Sequence, residues 1–95
     1  MSEEYGKVTM YVTTWCPYCV RAKALLKRKG VVVDEINIEE QPIDRAELAR
    51  KAGGQRTVPQ IWVGTEHVGG CDDLQALDRR GALDPLLETQ GIARG

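Results

Sequence analysis

Cys16 and Cys19 stand three residues apart in Trp15-Cys16-Pro17-Tyr18-Cys19, and the third cysteine, Cys71, lies far along the chain. A close thiol pair serves a structural metal, a disulfide framework or redox chemistry. Structural zinc usually needs a second close pair or histidines at ligand spacing, and the sole histidine is His67. A secreted disulfide scaffold uses more cysteines, usually an even number, at dispersed spacings. One pair plus one single cysteine fits neither pattern, so no metal is expected and a redox pair is the better reading.

The chemistry requires a thiolate at Cys16, and the flanking residues supply the means. Pro17 stands where a first helical residue belongs, since its missing N–H costs nothing there. Cys16 then sits at a strand-to-helix junction, where free N–H groups and the helix dipole lower a thiol pKa to about 3.5–7.5. Cys19, one turn on and partly beneath, keeps the higher pKa. Cys16 therefore attacks a disulfide and Cys19 resolves the mixed disulfide. Two inert buried cysteines are the plain alternative, and the exposed junction argues against it.

The elements that hold this junction follow from patterning. Residues 7–13 are rich in β-branched and aromatic types and read as a strand. Cys19, Ala22, Leu25 and Leu26 recur at helical spacing until Gly30 stops the helix. Residues 31–38 give a second strand, and Pro42 opens a helix to about Ala52. Strands follow at 60–63 and 66–68 around the Gly64-Thr65 turn. A helix runs from about Asp72 to Arg80, and a last one starts with Asp84 as N-cap and Pro85 as first residue. The order is βαβαββαα, an α/β fold with a mixed four-stranded sheet flanked by helices on both faces. Residues 1–6 and 90–95 carry little periodic signal and are expected to fray.

Composition limits the function classes. The chain has 95 residues, 42% hydrophobic and 28% charged, with a net charge of −1. That length suits one domain over 1–95, with its core at roughly 7–88. Without a basic excess, nucleic acid is not an expected partner. The longest apolar runs are three residues, too short for a membrane span or a signal-peptide core. A monomeric cytoplasmic protein is the expectation.

Three motifs in order, Trp15-Cys16-Pro17-Tyr18-Cys19, Thr57-Val58-Pro59 and Gly69-Gly70-Cys71-Asp72-Asp73, make the chain resemble a dithiol glutaredoxin. The likeness spans roughly residues 7–88 and extends to the Gly81 and Asp84-Pro85-Leu86-Leu87 ending of small bacterial members. It implies a thioredoxin fold and an enzyme that reduces protein disulfides and glutathione mixed disulfides. Glutathione would be its co-substrate, with no permanently bound cofactor. The partners implied are glutathione and disulfide-containing or glutathionylated proteins, ribonucleotide reductase among them.

The resemblance also implies site residues, each with a plainer reading beside it. Val58-Pro59 would be a cis bond that turns the Val58 backbone outward for strand-like pairing with glutathione; a simple loop proline is equally compatible with the sequence. Thr57 flanks it. The N–H groups of Asp72 and Asp73 would hold the γ-glutamyl carboxylate, with the Asp73 side chain on its ammonium, although acidic residues cap helices in any protein. Tyr18 would flank the tripeptide, or simply pack at a helix start. Cys71 is read as a small buried hydrophobe whose backbone borders the ligand; glutathionylation or regulation is the alternative if it is exposed. His67 is read as a surface or edge residue, Trp62 as core and Trp15 as active-site surface. Arg21, Lys23, Lys27, Arg28 and Lys29 read as a solvated helix face.

Position 13 departs from the family pattern. Thr13 stands where many glutaredoxins carry a lysine that supports the thiolate and meets a glutathione carboxylate. Gln55, Arg56 and Arg21 are candidates to replace it. Trp15 is similar to the residue found in thioredoxins and mycoredoxins, which leaves mycothiol or thioredoxin reductase as alternative donors. An iron–sulfur carrier is a further alternative, against which Pro17-Tyr18 argues.

Overall fold

In the computed structural model, residues 5–40, 45–55 and 57–95 are described. β1 (Val8–Val12) sends Val8, Met10 and Val12 to one face of the sheet and Tyr11 to the other, following the period of a strand. α1 (Pro17–Arg28) buries the stripe Cys19, Ala22, Leu25 and Leu26. β2 is Val33–Asn37, α2 is Arg45–Lys51, β3 is Gln60–Val63 and β4 is Glu66–Gly69. α3 (Cys71–Arg79) and α4 (Leu83–Thr89) complete the order βαβαββαα. The strands lie as β2-β1-β3-β4, with β1 and β2 parallel and the other two pairings antiparallel.

The sheet separates two hydrophobic clusters. On one face, Val8, Met10, Val12, Ile61 and Val63 pack against Leu25 and Leu26 of α1, Leu74 of α3, and Leu83 and Leu87 of α4. On the other face, Tyr11 and Trp62 meet edge-to-face and pack with Leu48 of α2, Ala52 and Ile38. Each leucine fully removed from water contributes roughly 1.5–3 kcal/mol. β1 and β3 are therefore buried throughout, and their C-terminal and N-terminal ends, respectively, lead directly into the loops that carry the thiols and Pro59.

Several expectations are corrected. The strand expected from residue 31 begins at Val33. The Val31 N–H instead closes the end of α1 on the Leu26 carbonyl, and Val32 projects into solvent. The start of the helix expected from Pro42 lies outside the described residues, and the helix is described over Arg45–Lys51. α3 begins one residue early, so Cys71 is its first residue and Gly70 its N-cap.

Asp84 is not an N-cap. Ala82 holds that place, and the Asp84 carboxylate pairs with Lys29 at 3.1 Å and Arg94 at 3.0 Å. Both cations hold its pKa below the usual carboxylate range. Lys29, expected on a solvated face, also reaches Asp78 at 2.8 Å and so joins the ends of α1, α3 and α4. The C-terminal residues have partners in the fold. Gln90 accepts the Gly6 N–H through its backbone carbonyl and the Thr65 N–H through its side chain, Ile92 packs on the core, and Gly95 donates to the Gly30 carbonyl.

Candidate functional site: a thiol pair and two grooves

β1 ends at Val12 and the chain enters α1 through Cys16, whose extended backbone (φ −149°, ψ 95°) makes it the N-cap. The Cys16 Sγ accepts the Cys19 N–H at 3.1 Å, which is the capping hydrogen bond a serine would make elsewhere. The first turn holds no acidic side chain to oppose negative charge on that sulfur. Cys16 is half-buried and Cys19 buried, and the two are joined as a disulfide with Cα atoms 5.2 Å apart. Trp15 and Tyr18 stand exposed on either side, with the Arg21 guanidinium 5.5 Å above the Tyr18 ring.

The Val58–Pro59 bond is cis. Pro59 is fully buried, while Val58 is half-buried and touches both hydrophobic clusters, which anchors this loop to the sheet from two sides. Gln60 follows, also fully buried. Its Nε2 donates to the Thr57 carbonyl at 2.9 Å and to Gln55 Oε1 at 3.2 Å. Its Oε1 lies 2.8 Å from His67 Nε2. Edge strand β4 carries His67, half-buried with its ring against Trp62, and burial lowers the imidazole pKa despite the opposing field of Asp73.

At the start of α3 the Asp73 carboxylate accepts the Gly70 N–H at 3.0 Å. Gly69 has φ +114°, and a Cβ there would overlap the Asp73 carboxylate, so this turn requires glycine. By helix geometry the first N–H groups of α3 have no acceptor within the helix. Cys71 is buried, with Gln75 donating to its sulfur at 3.5 Å. Burial and Asp72 push its thiol pKa up, against a smaller opposing effect of Arg21.

These parts border two grooves. Tyr18, Gln55, Thr57, Val58, Pro59, Cys71, Asp72 and Asp73, each a candidate from the sequence, line one groove of about 370 Å³ together with Gly70. Cys16, Cys19, Thr13, Trp15, Val20 and Arg21 line a second of about 530 Å³, together with Lys23 and Glu35. Thr13 thus lines the second groove alone, while Arg21 lines it and also stands over Tyr18 of the first. Gln55 lies in it, tied to Gln60, and Arg56 is outside the described residues. Sequence reasoning misses the link from His67 through Gln60 to the Thr57 carbonyl, behind the loop that borders the first groove. The signal available is a glutamine directly after Pro59, at the head of an otherwise apolar strand.

Among the described residues, no group of three or more His, Cys, Asp and Glu could hold a metal. No helix among them is long and apolar enough to cross a membrane. The family model described as glutaredoxin matches residues 8–68. A glutaredoxin of Pseudomonas aeruginosa is 65% identical over 80 residues, covering 84% of this chain and 94% of the relative. Glutaredoxin 3 of Escherichia coli K12 is 52% identical over 83 residues, covering 87% and 99%. A buckwheat glutaredoxin–glutathione complex superposes with a TM-score of 0.86 at 32% identity, covering 97% of this chain and 88% of that one. The solution structure of a glutaredoxin from Brucella melitensis gives 0.77 at 48% identity, covering 95% and 97%.

Proposed function

The chain belongs to the glutaredoxin family of thiol–disulfide oxidoreductases, with its thioredoxin fold, and from that premise we propose that glutathione is its electron donor. The observation that carries the exchange chemistry is the capping hydrogen bond from the Cys19 N–H to Cys16 Sγ. The same N–H, with the end of the α1 dipole, stabilises a thiolate once the pair is reduced. The buckwheat relative supports glutathione as the ligand, since its structure is of a glutathione complex.

In this reading the Cys16 thiolate attacks the glutathione sulfur of a mixed disulfide. The protein thiolate leaves and takes a proton, and Cys16 carries glutathione. A second glutathione thiolate attacks that bond, releasing glutathione disulfide and restoring Cys16. With a protein disulfide, Cys16 forms a mixed disulfide with one sulfur. Cys19 then attacks Cys16, releases the reduced protein and leaves the oxidised Cys16–Cys19 pair. Two glutathiones return the two electrons.

The first groove is assigned to glutathione: the Val58 backbone pairs with its cysteinyl residue, and the α3 N–H groups at Asp72 and Asp73 take its γ-glutamyl carboxylate. Asp73 meets the ammonium, and Thr57, Pro59, Tyr18 and the Cys71 backbone complete the wall. A dithiol served by such a donor works in a reducing compartment, so the reading places the protein in the cytoplasm.

Thr13 and the exposed Trp15 favour a second reading, in which mycothiol or thioredoxin reductase is the donor. Turnover of a glutathionylated peptide with each donor separates the two. Glutathione should sustain turnover in the wild type and in Cys19→Ser, Cys16→Ser should abolish it, and Cys19→Ser should lose reduction of a protein disulfide. Full turnover by Cys16→Ser would sink the mechanism, and turnover with mycothiol or thioredoxin reductase alone would transfer the donor role.

A further inference from the structure

Gln60 and His67 take no part in the exchange chemistry, yet their side chains are joined to the loop that borders the first groove. Gln60 is fully buried, and its amide is used at both ends. Its Nε2 faces two acceptors, the Thr57 carbonyl and Gln55 Oε1, which fixes the amide orientation and leaves Oε1 toward His67. An acceptor at 2.8 Å requires the hydrogen of His67 on Nε2. The ring is held in place by Trp62, 4.5 Å away between centroids.

The Thr57 carbonyl and the Val58 N–H belong to one planar trans peptide unit, in which they point in opposite directions. Holding the carbonyl inward therefore aims the Val58 N–H outward. We propose that Gln60 and His67 are positioning residues: Gln60 draws the Thr57 carbonyl into the fold, His67 locks the Gln60 amide, and together they aim the Val58 N–H into the groove. The proposal rests on the assignment of that groove to glutathione. It makes the pair a determinant of how well a glutathionyl group is held, with no part in the reactivity of Cys16.

The test compares two substrates in the full-length protein. One is a glutathionylated peptide turned over by glutathione. The other is a peptide disulfide without glutathione, reduced with dithiothreitol as the regenerating thiol. Gln60→Leu, which keeps the volume and removes the donor, should raise KM for the glutathionylated peptide about tenfold, as expected for one lost hydrogen bond, with kcat within about twofold. His67→Phe keeps the ring against Trp62 and removes the donor, and should raise the same KM about threefold. His67→Gln, which keeps a donor, should recover part of that loss.

Both variants should reduce the glutathione-free disulfide at the wild-type rate within about twofold. Equal losses on both substrates, or an unchanged KM in the folded variants, would overturn the proposal. Should Gln60→Leu fail to fold, His67→Phe at the sheet edge decides it. A wild type inactive on the glutathionylated peptide would instead overturn the assignment of glutathione.

Discussion

The groove from Tyr18 to Asp73 and the groove from Thr13 to Glu35, which contains the thiol pair, are built from different elements. The first is walled by the cis Val58–Pro59 loop and the first turn of α3, with Tyr18 and Gln55 beside them. Buried Pro59, Gln60 and Cys71 hold that backbone from behind. The second is walled by the end of β1, the loop after it and the first turns of α1, with Trp15 and Val20 projecting into solvent and Lys23 paired to Glu35. Backbone donors and acceptors fixed by a core suit one small polar ligand at low entropic cost. Projecting side chains adapt to varied surfaces and carry little of the fold.

Breaking the first groove should have the largest effect. Gly69→Ala forces a Cβ into Asp73 at a positive φ, so it should cost about 2–3 kcal/mol of stability in urea titrations. Its kcat/KM for a glutathionylated peptide should fall about thirtyfold or more, beyond the single-contact loss of roughly tenfold. A variant with unchanged kinetics would show that this groove does not take the donor. Asp73→Ala removes only the acceptor of the Gly70 N–H and the carboxylate assigned to the ammonium. It should cost about 1 kcal/mol of stability and about tenfold in kcat/KM, read in the same two assays.

The second groove is expected to be more tolerant. Thr13→Lys places a cation beside Cys16, and iodoacetamide alkylation should follow a lower thiol pKa, with turnover at pH 7 rising about two- to fivefold. A larger gain, accompanied by a fall in KM for glutathione, would mean that the donor also uses this side.

The smallest effect concerns the scaffold behind the first groove. Burial lowers the His67 pKa below its unfolded value of 6.5. As pH falls through 6.5, the unfolded chain binds the proton first, so stability is present above that pH and is lost progressively toward the lower folded value. Urea midpoints measured between pH 7 and pH 5 should fall more steeply for the wild type than for His67→Phe. Parallel slopes would show that the imidazole titrates alike in both states.

Much of this comparison is legible in the amino-acid sequence. The Cys16-Pro17 junction reads as an N-cap because the chemistry is local: a strand period ends, proline starts a helix, and the sulfur takes the capping position. Pro59 and the Gly64 turn likewise bound β3 correctly at Gln60 and Val63. Errors gather where a long-range partner overrides a local preference. Asp84 looks like an N-cap by type, but Lys29 and Arg94 draw its carboxylate to the other end of α1 and to the C-terminus. Residues 90–95 look unstructured because their partners, Gly6, Gly30 and Thr65, are distant in sequence.

Sequence by itself determined the redox pair, the order of elements and the motifs that make the resemblance, because periodicity, capping and turn chemistry act over a few residues. Tertiary structure alone decided which candidates share a groove. It set Gln55 and Asp73 in one groove and Thr13 in the other, and it joined Gln60 of β3 to His67 of β4. Those relations depend on strand order and on which face each side chain takes, and both are settled only when the two hydrophobic clusters pack against opposite faces of the sheet.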